Sequence, residues 1–237
     1  MCARLTLTTT TAEIADLFGL AYDLSLQPRY NVAPSQSIPV FRNDGRGGRE
    51  LVMLRWGLIP HWNTDPRHSG FVNARAETAP EKPAFRDPFK WRRCLVPADG
   101  FYEWKTLGKK HKQPYFFRKA GGGPLVYAAI WDRWEGPDGT LETVAVLTTP
   151  ANELVRPLHD RMPAIVAEGH FGLWLDPKEH RPEKLRPLLT PYPAERMESW
   201  PVSGRVNSAK VDEPGLTTPQ EPRVTWTQPT LFDLVQE

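Results

Sequence analysis

Residues 29–62 read RYNVAPSQSIPVFRNDGRGGRELVMLRWGLIPHW. Two apolar-rich stretches, RYNVAPSQSIPVFR and ELVMLRWGLIPHW, flank the run NDGRGG, whose glycines supply the backbone freedom of a tight reversal. The pattern reads as two strands joined by a glycine-rich turn. Before it, residues 3–9 set Ala3, Leu5 and Leu7 against Arg4, Thr6 and Thr8, the period of a half-buried strand. Thr11 followed by AEIADLFG reads as an N-capped helix stopped at Gly19. Further short strands are expected at 93–97, 100–105, 114–118, 124–131, 141–148 and 162–167, and helices at 76–86, 150–155, 168–175 and 181–189. Strands and helices interleave without a regular βαβ period. The fold class is therefore α+β: a single domain with a curved, mainly antiparallel β-sheet or barrel-like core flanked by short helices.

Composition narrows the function without choosing it. The chain has 237 residues, with Lys+Arg 30 against Asp+Glu 28 and a net charge of +2. Its pI near 8.5 falls short of the value above ~9 that flags a nucleic-acid-binding domain. A local basic stripe is still compatible with so balanced a total. Hydrophobic residues make up 40% and include 9 Trp, enough for a real core. The 25 prolines, about twice the average share, point to a loop-rich fold of short elements. Cys2 and Cys94 give no disulfide framework and no zinc-ligand set, and the histidines at 61, 68, 111, 170 and 180 fit no metal-ligand spacing. No metal and no cofactor are expected. The start carries no basic segment leading into an apolar run, and no stretch approaches the ~18 apolar residues of a membrane span. A reducing cytoplasmic, nucleoid-associated setting and a monomer are expected. The domain is expected over 2–212. Residues 213–237 are polar, Pro-rich and weakly patterned, and read as a flexible tail.

Cys2 directly follows Met1. Removal of Met1 leaves a terminal cysteine, with a thiol and a free α-amine on adjacent carbons. That amine has a pKa of ~7.7–8.0, so a fraction is nucleophilic at neutral pH. Four segments then share one arrangement: Cys2-Ala3-Arg4, Asn73-Ala74-Arg75, Glu103-Trp104-Lys105 and His159-Asp160-Arg161. In extended chain, residues i and i+2 project from the same face, so each segment pairs a chemical group with a cation. Asn73 offers a neutral donor and acceptor, while Glu103 and His159 offer proton transfer. The apolar flank Phe101, Tyr102 and Trp104 would raise the Glu103 pKa. Each pair taken singly reads equally as a solvated strand face.

The chain resembles the SRAP (SOS response-associated peptidase) family of abasic-site processing proteins. The matching segments are MCAR at the start, RYNVAPSQ at 29–36, WGLIPHW at 56–62, NARAET at 73–78, RCLVPADGFYEW at 93–104, TTPAN at 148–152 and HDRMPAI at 159–165. The family usually reads MCGR, so Ala3 is a departure that adds one methyl beside the cysteine. The resemblance implies a DNA-repair protein that captures the aldehyde of an abasic site in single-stranded DNA. Cys2 would form a Schiff base through its amine and close a thiazolidine through its thiolate. By the same resemblance Glu103 moves protons, Asn73 holds the α-amine and His159 hydrogen-bonds the opened sugar or phosphate. β-Elimination from the Schiff base would give lyase activity.

The resemblance also implies DNA contacts by Arg4, Arg75 and Arg161, whose guanidinium forks suit phosphates. Four phosphate contacts on a single strand would give a log–log salt slope of about −2.8. Asn31, Pro34, Trp56 and Trp62 either line the DNA channel or, for the tryptophans, pack in the core. The WRR of 91–93 reads as a solvated face or weak phosphate contacts. In the tail, Gln228, Leu231 and Phe232 form a Q-x-x-L-F peptide like those that dock on the replicative sliding clamp. Two rival readings stay open: an N-terminal-nucleophile cysteine peptidase or amidohydrolase, (auto)peptidase activity included, and a non-catalytic single-stranded-DNA- or clamp-binding module.

Overall fold

The hairpin forms at residues 37–56. Strands β3 (Ser37–Asn43) and β4 (Arg49–Trp56) pair antiparallel from Ser37↔Arg55 to Asn43↔Arg49. Gly45 and Gly47, at φ 76° and 91°, make the reversal, and Asp44 Oδ1 closes it by accepting from the Arg46 and Gly48 N–H groups. The expected first strand is split, because Pro34 lacks an N–H and Ser35 takes a left-handed φ of 70°. Residues Arg29–Val32 become a separate strand, β2, in another sheet.

A computed structural model describes residues 3–20, 25–65, 67–108 and 111–222. Its remaining strands are β1 (Leu5–Leu7), β5 (Asn73–Arg75), β6 (Arg93–Ala98), β7 (Gly100–Thr106), β8 (Lys112–Lys119), β9 (Leu125–Gly136), β10 (Gly139–Pro150), β11 (Arg161–Pro163) and β12 (Met197–Pro201). One open sheet runs β12-β8-β7-β1-β2. In the other, β10, β4, β3, β6 and β9 pair in turn and the β9–β10 pairing closes the ring, giving a barrel-like core.

β10 outlasts the ring. Its first half lies between β9 and β4, paired at Val144 with Trp131 and Trp56. At Thr148 it lies between Arg75 of β5 and Pro163 of β11. A strand has two edges, so β5 continues the β4 edge and β11 the β9 edge. This extension of β10 is what brings residues 73–75 and 159–163 close together.

β6, the first half of β9 and the second half of β10 are buried on both faces, which explains continuous apolar runs such as LVYAAIW. Tyr127, Ala129, Val144 and Val146 pack with Leu5, Val32, Phe101 and Phe117 of the open sheet. Their alternates Val126, Ala128, Ile130, Ala145 and Leu147 meet helices α1 (Thr11–Phe18) and α3 (Phe171–Leu175) through Ile14, Phe18, Phe171 and Trp174. Truncating such a side chain to alanine costs about 3–5 kcal/mol.

Local chemistry moved several helix expectations. The cap of α1 is Thr10, one residue before the expected Thr11: its hydroxyl accepts from the Glu13 N–H, and Glu13 reaches back to the Thr10 N–H at 2.9 Å. Gly19 ends the helix at φ 64°. The helix expected at 76–86 is a string of turns, because Pro80 and Pro83 interrupt it, and α2 starts only at Arg86 and runs to Trp91. The one expected at 150–155 is also turns, set between Pro150 and Pro157. The span 181–189 divides into α4 (Pro182–Leu185) and a 3-10 turn.

Residues 203–222 cross the outer face of the open sheet, where Val206 and Leu216 pack with Tyr102 and Phe116. Asp212 pairs with Arg29 and accepts the backbone N–H groups of Tyr30 and Asn31, and the Gln220 N–H donates to the Pro201 carbonyl at 2.9 Å. Residues 223–237, with Gln228, Leu231 and Phe232, lie outside the described residues.

Candidate functional site

Glu103 sits inside β7, the middle strand of the open sheet, paired with Tyr115 of β8. On the other edge, β1 runs antiparallel in the register Leu5↔Phe101, and the Tyr102 N–H donates to the Arg4 carbonyl at 3.1 Å. Continued by two residues, that register sets Ala3 beside Glu103. Ala3 is bonded to Cys2, which lies outside the described residues. The Glu103 side chain is 3% exposed. Burial pushes its carboxyl up to about 7, with the Asp160 charge adding to the rise and a hydrogen bond from the Trp104 backbone opposing it. A carboxyl at that value exchanges protons in both directions near neutral pH.

Asp160 belongs to the turn that leads into β11, and its carbonyl accepts the Ala151 N–H at 2.9 Å. Next to it, His159 Nδ1 accepts the Arg161 N–H at 2.9 Å and lies 2.9 Å from Asp160 Oδ1. The two contacts compete for one atom. The backbone bond needs a lone pair on Nδ1, which the Nε2–H tautomer supplies. Burial first of all holds the His159 pKa below its ordinary value, which agrees. Asn73 starts β5, half-buried and opposite Val146 of β10. Val72 before it packs on the same core cluster as Phe101. Thus β10 and that cluster anchor the three polar groups.

The three arginines expected at phosphates differ sharply. Arg75 is exposed. Arg161 is 8% exposed and forms two parallel 2.8 Å bonds to the Glu77 carboxylate, with a third N–H on the Thr148 carbonyl. A cavity of about 360 Å³ opens beside this pair, lined by Ala76, Glu77, Thr149, Pro150, Arg186 and Leu189 among others. Arg4 spends its guanidinium on Asn31 Oδ1 and on the Val206 and Asn207 carbonyls. Strand alternation also separates Arg4 from Glu103. Arg4 shares a face with Tyr102 and Trp104, under residues 203–212, whereas Glu103 falls on the Phe101 side.

Of the expected channel lining, Asn31 is buried and Trp56 follows the core-packing alternative. Both are 0% exposed: Asn31 donates to the Val206, Ser208 and Val211 carbonyls, and the Trp56 indole N–H donates to the Val72 carbonyl at 2.9 Å. Neither has a face to offer a base. Pro34 is half-buried and Trp62 is 55% exposed. The WRR expectation also changes: Arg93 is buried and donates to the carbonyls of Phe89, Lys90, Trp174, Asp176 and Glu179. Two participants escaped the sequence reading. Glu77 stands in NARAET, two residues after Arg75, but its partner is 84 positions away. Asp160 lies inside a quoted segment, yet only the fold sets it against Glu103. Among the described residues, no group of three or more His, Cys, Asp or Glu is arranged to hold a metal ion. No helix there is long and apolar enough to cross a membrane.

The family model for SOS response associated peptidase (SRAP) matches residues 1–209. The chain is 43% identical over 221 residues to the abasic site processing protein YoqW of Bacillus subtilis (strain 168), covering 91% of this chain and 98% of that protein. It is 33% identical over 233 residues to the abasic site processing protein HMCES of Mus musculus, covering 82% of this chain and 65% of that one. A crystal structure of a protein from Bacteroides thetaiotaomicron matches with a TM-score of 0.83 at 27% identity, over 93% of this chain and 100% of the other. With the family match spanning β1 through the 3-10 turn at Gly204–Asn207, the chain belongs to the SRAP family.

Proposed function

We propose that this protein processes abasic sites in single-stranded DNA by capturing the ring-opened sugar aldehyde on Cys2. The observation that carries the reading is Glu103: a buried carboxyl poised near pH 7 whose strand neighbour by register is the residue bonded to Cys2. The relatives' names, abasic site processing protein, point the same way.

After loss of Met1, the α-amine of Cys2 adds to C1′ and a carbinolamine forms. Protonated Glu103 supplies the proton with which its hydroxyl leaves as water, giving the Schiff base. The Cys2 thiol returns its proton to the Glu103 carboxylate, the thiolate adds to the carbon of the protonated Schiff base, its nitrogen becomes a neutral ring N–H, and a five-membered thiazolidine closes. Asn73 holds the amine through its amide, and neutral His159 offers Nε2–H to the opened sugar or its phosphate. Loss of the 3′ phosphate from the Schiff base by β-elimination is the lyase branch. Arg75 contacts the backbone, Arg161 stays paired with Glu77 beside it, and Trp62 and Pro34 meet bases or sugars. The tail peptide Gln228–Phe232 serves as a sliding-clamp anchor.

The test is incubation with uracil-excised single-stranded DNA, followed by denaturing electrophoresis. Wild type is expected to give a shifted band stable to SDS. Cys2→Ser keeps an amine but cannot close the sulfur ring, so only a band trapped by borohydride should remain. A stable band of equal strength from Cys2→Ser would refute capture through the aminothiol. The absence of any band from wild type would favour the peptidase or binding-module readings.

A further inference from the structure

We infer that Arg4 is a positioning residue, one that clamps the strand leading to Cys2 onto residues 203–212 and takes no DNA phosphate. The inference rests on the reading that Cys2 performs the capture. Arg4 Nη1 donates to Asn31 Oδ1 at 2.8 Å and to the Val206 carbonyl at 2.6 Å, and Nη2 donates to the Asn207 carbonyl at 3.2 Å. Asn31 is the keystone. Its oxygen takes Arg4, while its Nδ2 spans the Val206, Ser208 and Val211 carbonyls at 3.2, 2.9 and 2.7 Å. Its backbone N–H is tied to Asp212 at 3.1 Å.

The same segment grips the neighbouring strand. Trp104, the residue after Glu103, donates its indole N–H to Asn207 Oδ1 at 2.7 Å. One short segment therefore fixes the strand entering the nucleophile and the strand carrying the proton carrier, both from the face opposite Glu103. A phosphate at Arg4 would have to displace three built acceptors. Covalent capture needs reacting atoms held in near-attack geometry, and a displacement of about 1 Å can cost about 100-fold in rate.

Arg4→Lys separates positioning from charge. Lysine keeps the positive charge for a phosphate but cannot span three acceptors as a fork does. The expected result is a crosslinking rate at saturating abasic DNA lowered by about ten-fold or more, with the dissociation constant for undamaged single-stranded DNA within about two-fold of wild type. Amide exchange at Val206, Ser208 and Val211, whose N–H groups are hydrogen-bonded within the segment, should quicken in the same variant. Asn31→Ala should reproduce the rate loss and the faster exchange without touching a cation.

The exchange measurement keeps the two readings apart. If wild type forms no crosslink, the proposed function falls, and unchanged exchange in Arg4→Lys overturns the clamp while faster exchange upholds it. If wild type crosslinks, a saturated rate equal to wild type in Arg4→Lys overturns the inference, as does unchanged exchange whatever the rate.

Discussion

Arg161 and Glu77 close on each other through two parallel hydrogen bonds of 2.8 Å, across 84 residues of sequence. The pair bolts the start of β11 to the turn that follows β5, and Thr148 of β10 accepts a third Arg161 N–H between them. Burial works against the Glu77 carboxylate, but the hydrogen bonds and charge of Arg161 outweigh it and hold the pKa below the usual 4.5. A folded-state pKa below the unfolded one stabilises above the unfolded value and is lost as pH falls through the folded value. Glu77→Gln should therefore lower the melting temperature at pH 7, where a half-exposed bidentate pair is worth about 1 kcal/mol. The gap from wild type should narrow steadily below pH 4.5 in thermal melts. A gap that stays constant down to pH 3 would show that charge pairing is not its source.

Glu103 gives the opposite sign. Its folded pKa is raised to about 7 by burial, so its favourable contribution belongs to the protonated form. Stability is full below the unfolded value of 4.5 and declines as pH rises through 7. Glu103→Gln, which imitates the protonated form, should raise the melting temperature at pH 8 and leave it nearly unchanged at pH 5. The same variant should slow crosslinking and flatten its pH–rate profile around 7. Equal shifts at both pH values would remove the buried carboxyl as the titrating group.

Much of the fold was legible because its signals are local. NDGRGG with flanking apolar alternation marks β3 and β4, and Gly19 marks the end of α1. Pro80 and Pro83 inside 76–86 were legible too, and they forbid the helix expected there. The site was legible as a set of residues, since Asn73, Glu103 and His159 stand in quoted motifs. Their surroundings were not, because burial and pairing arise between strands distant in the chain. Arg4, Arg93 and Arg161 look alike in sequence as possible phosphate ligands. Only packing shows that one meets carbonyls and an amide, one meets five carbonyls and one meets a carboxylate.

Cys94 lies fully buried in the first core cluster, and burial drives its thiol far above the ordinary cysteine range. It is inert in the native state. A thiol reagent at pH 7.5 should therefore count one fast equivalent in native protein, from Cys2, and two in denaturant. Cys94→Ala should leave crosslinking unchanged, whereas Cys2→Ala should abolish both the fast equivalent and the crosslink. Two fast equivalents in native protein would mean that the Cys94 environment opens.

Arg93 offers a strict test of how a lone buried cation is held. Burial lowers its pKa to about 10, against the partial help of Asp176 and Glu179, and five carbonyl dipoles solvate it in place of water. Arg93→Met fits the volume but strips those carbonyls of a donor, at a cost of at least about 3 kcal/mol. The melting temperature should fall by roughly 6 °C or more for a domain of this size. DNA affinity should stay as in wild type, because this arginine faces inward. Lost affinity with an unchanged melting temperature would reverse the assignment.

The salt dependence of DNA binding tells exposed cations from occupied ones. Each phosphate contacted on a single strand adds about −0.7 to the log–log slope. Four contacts would give about −2.8, but Arg161 is closed on Glu77 and Arg4 on carbonyls, which leaves exposed Arg75 and Lys105 in the motif set. Undamaged single-stranded DNA should therefore show a shallower slope, between about −0.7 and −1.4, in anisotropy titrations from low to moderate salt. Arg75→Ala should remove about 0.7 of it. Glu77→Gln keeps the side-chain shape but discharges the competitor, so Arg161 becomes available and the slope should steepen by about 0.7. The two variants thus move the slope in opposite directions, although both residues lie in the same short motif. A wild-type slope near −2.8 that Glu77→Gln leaves in place would mean that phosphate already displaces the carboxylate, and that the Arg161–Glu77 pair exists only without DNA.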